Sequence, residues 1–356
     1  MMTRRLAVLL FVLVASVAAA VPATASAGMW HETTLGLCCY PGFNGVGASS
    51  ATNVWAVGEN DAVGERPYAE HWDGSSWTQV PVPAPGGPTG VADGGLDGVS
   101  VLSAKNAWAV GWADLNVTRF APLVEHWNGT AWSVKATPAV PDGSSLQDVA
   151  AITRRNVWAV GRLPAGPLVE HYNGRAWRRV AVPGAGYLES VKAVSASSVW
   201  AVGGAGEIAH YNGRRWRLVS FPGESTNVTL YQVNRISKTR RMWAVGEDLT
   251  TVPASPVALY YNGSHWRSTH PPGQATLFGV AAISRRNVWA AGSLASGDPY
   301  ALHWNGVRWS VVSGTALSDG YVSHMTRAPG SRILWAVGRG GAGSANPGHS
   351  WAVYHG

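Results

Sequence analysis

Apolar residues in this chain come in short alternating runs, separated by Gly, Asn, Pro and Ser. The stretches "LDGVSVLS" (96–103), "NVWAVG" (156–161), "PLVEHWNG" (122–129) and "AWSVKATP" (131–138) are representative. Val, Trp, Tyr and Ile alternating between clusters of turn residues predict short β-strands. No window sustains a helical period. Asn128-Gly129, Asn173-Gly174 and their counterparts predict tight hairpins, because Asn and Gly tolerate positive φ.

Four such strands recur as a unit. "WAVG", or "WAAG", begins at Trp55, Trp108, Trp158, Trp200, Trp243, Trp289 and Trp335, seven copies in all. An aromatic precedes the Asn/Asp-Gly turn, or the final Gly, at Trp72, Trp127, Tyr172, Tyr211, Tyr261, Trp304 and Tyr354. The Trp that follows the turn occurs only at Trp77, Trp132, Trp177, Trp216, Trp266 and Trp309, since the chain ends at Gly356 before a seventh can appear. "GMWHETT" places Trp30 in a matching strand ahead of the first unit. Four-stranded units at a period of roughly 40–55 residues predict an all-β, seven-bladed β-propeller. Its ring is closed by the N-terminal strand completing the last blade, which leaves no blade with an unpaired edge. The repeat tryptophans read as cement between blades, each burying roughly 150–250 Å².

A glycine closing strand two, an aromatic in strand three and a Trp shortly after resemble the Kelch, or galactose-oxidase-like, propeller repeat across essentially the whole chain after residue 27. "VG" stands in place of that repeat's double glycine, and the spacing from aromatic to Trp is shorter. The units are still more similar to the "WAVG" repeats of exported actinobacterial propeller proteins, a resemblance that implies a fold and little established activity. The copper chemistry of the galactose-oxidase type needs a Tyr cross-linked to a Cys. The cysteines here lie between the N-terminal strand and the first blade, so that chemistry does not carry over and no cofactor or metal is expected.

Composition adds location. A basic start, the apolar run "LAVLLFVLVASVAAAV" and "ATASA" read as a signal peptide over 1–27, followed by one exported domain over 28–356. The formal net charge is +7, and removing Arg4 and Arg5 leaves +5. Cys38 and Cys39 are adjacent; their Cα atoms are about 3.8 Å apart, below the usual disulfide range, so they do not staple the fold.

Candidate chemistry is sought where repeated positions differ. Glu70-His71, Glu125-His126 and Glu170-His171 occupy one slot in three units, with His210 and His303 in the same slot of two more. A slot repeated in five units is not one active site, so these His are read as satisfying backbone groups or packing between sheets. The residue after the leading apolar position of strand one varies instead: Asn44, Asp97, Gln147, Glu189, Tyr231 and Phe278, with Asp148, Gln232 and Tyr321 near them. Strand one is innermost in a propeller, so these residues should ring one mouth of the channel and bind a polar ligand. Trp112 runs from a repeat into a long loop on that face and is a candidate for stacking on a sugar. The opposite loops carry Arg154, Arg155, Arg214, Arg215, Arg240, Arg241, Arg285 and Arg286, a basic face suited to an anionic surface. Aromatics are not interleaved among these arginines, so nucleic acid is not expected. The reading is an exported, non-catalytic binding module for a glycan or cell-envelope polymer. Alternatives are a polysaccharide lyase or hydrolase using Asp97, Asp148 and Glu189, and a protein–protein scaffold.

Overall fold

The computed structural model describes residues 30–33, 41–60, 65–83, 93–116, 119–313, 315–340 and 350–356. The expected signal peptide and the Cys38–Cys39 pair lie outside these residues. Seven four-stranded antiparallel sheets account for nearly all of the described chain, and Ala316–Ser318 is the only helix among the described residues. In six blades the strands lie side by side in chain order. The seventh runs Gly320–Arg327, Leu334–Gly340, Ser350–His355 and then Trp30–Glu32, so the N-terminal strand forms its outer edge. Trp30 pairs with His355, His31 with Tyr354 and Glu32 with Val353.

The first strands are Pro41–Ser50, Gly94–Ser103, Ser145–Thr153, Leu188–Ser195, Val228–Arg235, Ala275–Ser284 and Gly320–Arg327. Each touches the first strand of the blade on either side, so these seven form the inner ring. Every one carries a register shift at the same place against strand two, between Phe43 and Gly45, Leu96 and Gly98, Leu146 and Asp148, and so on round the ring. A bulge inserts one residue that escapes the ladder and bends the strand. It also explains the glycine of "WAVG". A Cβ at Gly58, Gly111, Gly161 or any of their four counterparts would run into a carbonyl oxygen of strand one just before the bulge.

Tryptophan joins the blades. Each fourth-strand Trp packs edge-on against the "WAVG" Trp of the preceding blade: Trp77 on Trp335, Trp132 on Trp55, Trp177 on Trp108, and onward to Trp309 on Trp243. Trp30 completes the series on Trp289, with ring centroids 5.5 Å apart and planes at 79°. The repeated His packs under the same Trp, at 4.2 Å for His171 on Trp158 and 4.0 Å for His210 on Trp200. Its Nε2 meets a side chain at the start of strand two, Asn53 at 2.7 Å from His71, Asn156 at 2.9 Å from His171 and Ser198 at 3.0 Å from His210. The partner is thus a side chain, and the backbone is already satisfied by the ladders.

Candidate functional site

The seven bulges place Asn44, Asp97, Gln147, Glu189, Tyr231, Phe278 and Ser323 outside the strand ladders at one end of the channel. These residues, with Asp148, Tyr321 and His324, line a cavity of about 220 Å³. Its wall is divided by chemistry. Tyr231, Phe278 and Tyr321 form an aromatic arc, with consecutive centroids 4.8 and 5.2 Å apart. Asn44, Asp97, Gln147 and Glu189 make the other side. Tyr231 is braced from behind, its hydroxyl donating to Glu247 Oε1 at 2.7 Å, while Thr276 donates to the other oxygen of the same carboxylate.

The acidic side is electrostatically tense. Burial pushes the Asp97 carboxyl well above the ordinary range, and the charges of Glu59 and Glu189 push the same way. Arg162 and a long contact from Asn44 Nδ2, at 3.4 Å, pull it back. Burial raises Glu189 to about 7, with Arg162 lowering and Asp148 raising it.

Three predicted residues sit differently from expectation. Asp148 and Gln232 lie one residue beyond the bulge, and their side chains reach sideways to the next blade. Asp148 Oδ2 accepts from Ser190 Oγ at 2.8 Å and from Val191 N–H at 2.9 Å, while Oδ1 accepts from Val149 N–H at 2.7 Å. Gln232 Oε1 accepts from Val280 N–H at 2.6 Å, and its Nε2 donates to Met325 O at 2.7 Å. Ser190 and His324 do the same in their blades, accepting from Val233 N–H and Val46 N–H. At the equivalent Gly45, Gly98 and Gly279 the next blade lies too close for a Cβ. This position is a clasp between inner strands. Gln232 faces the channel below the mouth, in a second cavity of about 160 Å³ that also holds Lys192. Asp148, with both oxygens committed, edges the mouth without being free to act there. Tyr321 lines the mouth from before the apolar Val322, so Ser323 is the true bulge residue of the last blade.

A second ring surrounds the first. The residue directly after "WAVG" is Glu59, Trp112, Arg162, Gly204, Glu247, Ser293 or Arg339 in successive blades. Of these, only Trp112 stands out in the sequence. A comparison of this column across the units, like that of strand one, picks out Arg162 and Glu247. Arg162 Nε donates to Ser145 Oγ at 3.2 Å. It also lines a side cleft of about 280 Å³ with Trp112 and Phe120, whose rings stand 5.5 Å apart. Trp112 is a wall of this cleft and not of the central cup.

Arg154, Arg155, Arg285 and Arg286 sit on turns between strands one and two, and Arg214 and Arg215 on a hairpin between strands three and four, all exposed. Arg240 and Arg241 belong to a longer loop, where Arg241 is half-buried. Among the described residues, no three His, Cys, Asp or Glu side chains converge as a metal site, and no helix is long and apolar enough to cross a membrane.

No family model matches the chain. No curated protein matches it either. Solved propellers do match its shape. YCF48 bound to the D1 peptide is 14% identical with a TM-score of 0.61, covering 92% of this chain and 97% of that one. The WD40 repeats of RRP9 are 11% identical with a TM-score of 0.63, covering 92% and 97%. Virginiamycin B lyase from Staphylococcus aureus is 11% identical with a TM-score of 0.64, covering 92% and 98%. At such identities the likeness is one of fold, and it agrees with the strand order: this chain is a seven-bladed β-propeller.

Proposed function

We propose that the protein is an exported, non-catalytic binding module of the Kelch-like "WAVG" kind. Its mouth takes one terminal unit of a glycan or cell-envelope polymer. The observation that carries this reading is the contrast within the repeat. The twenty-eight strands among the described residues are built on nearly one pattern, yet the seven bulge residues share no common chemistry and meet in one cup. A volume of about 220 Å³ is below the roughly 300–1,000 Å³ of sites for drug-sized molecules, which suits a single ring. The aromatic arc offers a face for the apolar side of a sugar, and the carboxylates and amides opposite offer partners for its hydroxyls. A binding role is also in keeping with neighbours of WD40 type and with one neighbour solved with a peptide.

The test is a screen of the chain against immobilised glycans, envelope polymers and basic peptides, washed at low and high salt. The expected result is a neutral glycan retained at high salt, with Tyr231→Ala plus Glu189→Gln lowering affinity at least tenfold while the melting temperature holds. Hydroxyl donors favour ionised Glu189, so affinity should rise as pH climbs through about 7, and Glu189→Gln should flatten that profile. Unchanged affinity in the double variant would remove the mouth from the account. Retention of basic peptides alone would make it a peptide site, and release of product from a polysaccharide would make it an enzyme.

A further inference from the structure

The face opposite the mouth holds a second cavity, of about 610 Å³, at the junction of the fourth and fifth blades. Two local departures from the repeat create it. In five blades, strands one and two are joined by a two-residue turn, such as Arg154-Arg155; the fifth (Ile236 to Arg241) and the seventh (Ala328 to Ile333) use six residues, and only the fifth lies beside a strand two that opens with Ser198. In the fourth blade, Ser198 stands where Asn53, Asn106, Asn156 and Asn287 begin strand two elsewhere, and the smaller side chain leaves room beside His210.

The floor is aromatic and the rim is cationic. Trp200 and His210 stack with centroids 4.0 Å apart and planes at 20°, and Tyr261 adjoins Trp200 at 4.7 Å. Arg235, Lys238 and Arg240 line the cavity, and no acidic side chain does. Burial lowers the His210 pKa, so the ring is neutral at pH 7.

The Arg235 guanidinium is held in place before any ligand arrives. Arg235 Nε donates to Thr239 O at 2.6 Å and Nη1 to Val194 O at 3.0 Å, which leaves Nη2 with no partner among the described residues. Arg327, the same position in the seventh blade, spends all three nitrogens on Ser331 O and Ile283 O. The loop that carries Lys238 and Arg240 is closed on itself. Ile236 N–H donates to Arg241 O at 2.9 Å, and Thr239 Oγ1 donates to Ile236 O at 2.7 Å. Lys238 is held at a left-handed φ of 59°. A pinned guanidinium with a free donor, two further cations and the half-buried rings of His210 and Tyr261 match a tetrahedral oxyanion attached to a ring.

We infer that this inter-blade cleft is a binding site for a sugar bearing a phosphate or sulfate ester, as carried by an anionic envelope polymer or a sulfated glycan. It does not depend on what occupies the mouth. The chain is titrated calorimetrically with a sulfated oligosaccharide and, separately, with a sugar-phosphate oligomer; binding of either one identifies the source of the anion. Lys238→Ala plus Arg240→Ala, on an exposed loop, is expected to weaken that binding about tenfold or more, equivalent to about 1.4 kcal/mol. Lys105→Ala plus Arg308→Ala removes the same charge from exposed turns of the same face away from the cleft and is expected to leave affinity within about twofold. Arg235→Lys keeps the charge but loses the fork, and it too should weaken binding. Equal losses in the two double variants would mean diffuse attraction to a basic face, and failure of both oligomers to bind the unaltered chain would likewise overturn the assignment.

Discussion

Trp30→Ala is expected to lower the unfolding free energy by about 3–5 kcal/mol, the range for removing a buried aromatic. The loss is read from urea denaturation of the otherwise unchanged chain. Trp30 is 5% exposed and packs with Trp289, His355, Leu317 and Trp351 in the core of the sixth and seventh blades. It also anchors the strand that closes the ring. Thr33 follows it, with N–H and Oγ1 both donating to Ala352 O, and Trp77 of the first blade donates its indole N–H to Thr33 Oγ1 at 2.9 Å. The closing segment thus ties the last blade to the first. Its loss should bare the edge of Ser350–His355, so the variant should also self-associate more readily. A loss below about 1 kcal/mol would show that ring closure contributes little.

The second large effect is a fall in stability with rising pH, centred on two carboxyl groups between blades. Glu125 and Glu170 are fully buried, and neither has a hydrogen-bond partner for either oxygen within the described protein. Burial raises Glu125 to about 8 and Glu170 to about 7, against small opposing effects of Lys135 and Arg179. Between the ordinary Glu value and these raised values the folded state holds protons that the unfolded state has released. Stability from this source is therefore complete below about pH 4.3 and is lost as pH rises through 7 and 8. A tenfold difference in proton affinity between folded and unfolded chains corresponds to about 1.4 kcal/mol, so each group costs several kcal/mol at alkaline pH. Four blades place Ala209, Leu259, Leu302 and Val353 in the same slot. Glu125→Leu should accordingly raise the unfolding free energy more at pH 8 than at pH 4. Equal effects at both values would show that the carboxyl is not held protonated.

Much of this architecture is legible in the sequence because the repeat states the same packing problem seven times. The spare Trp30, in a matching strand ahead of the first unit, discloses the closure. The mouth is legible for the same reason, since a position that varies while its neighbours repeat is released from packing. What the sequence hides is the bulge. Without it, Asp148 and Gln232 look like neighbours of the mouth residues, when one step past the bulge turns a side chain toward the next blade. In the last unit, "GYVSHMTR", the aromatic Tyr321 draws the alignment away from Val322, which conceals Ser323 and His324. Arg162 and Glu247 lie in strand two, where the conspicuous "WAVG" draws attention from the residue after it. The anion cleft depends on a six-residue connection closing on itself, and composition alone does not convey that.

The most direct measurement is crystallographic: crystals of the chain soaked with neutral mono- and disaccharides. The account predicts a sugar ring seated between Tyr231, Phe278 and Tyr321 on one side and Asp97 and Glu189 on the other. Sugars bound elsewhere on the propeller, with none in this cup at saturating concentration, would contradict it.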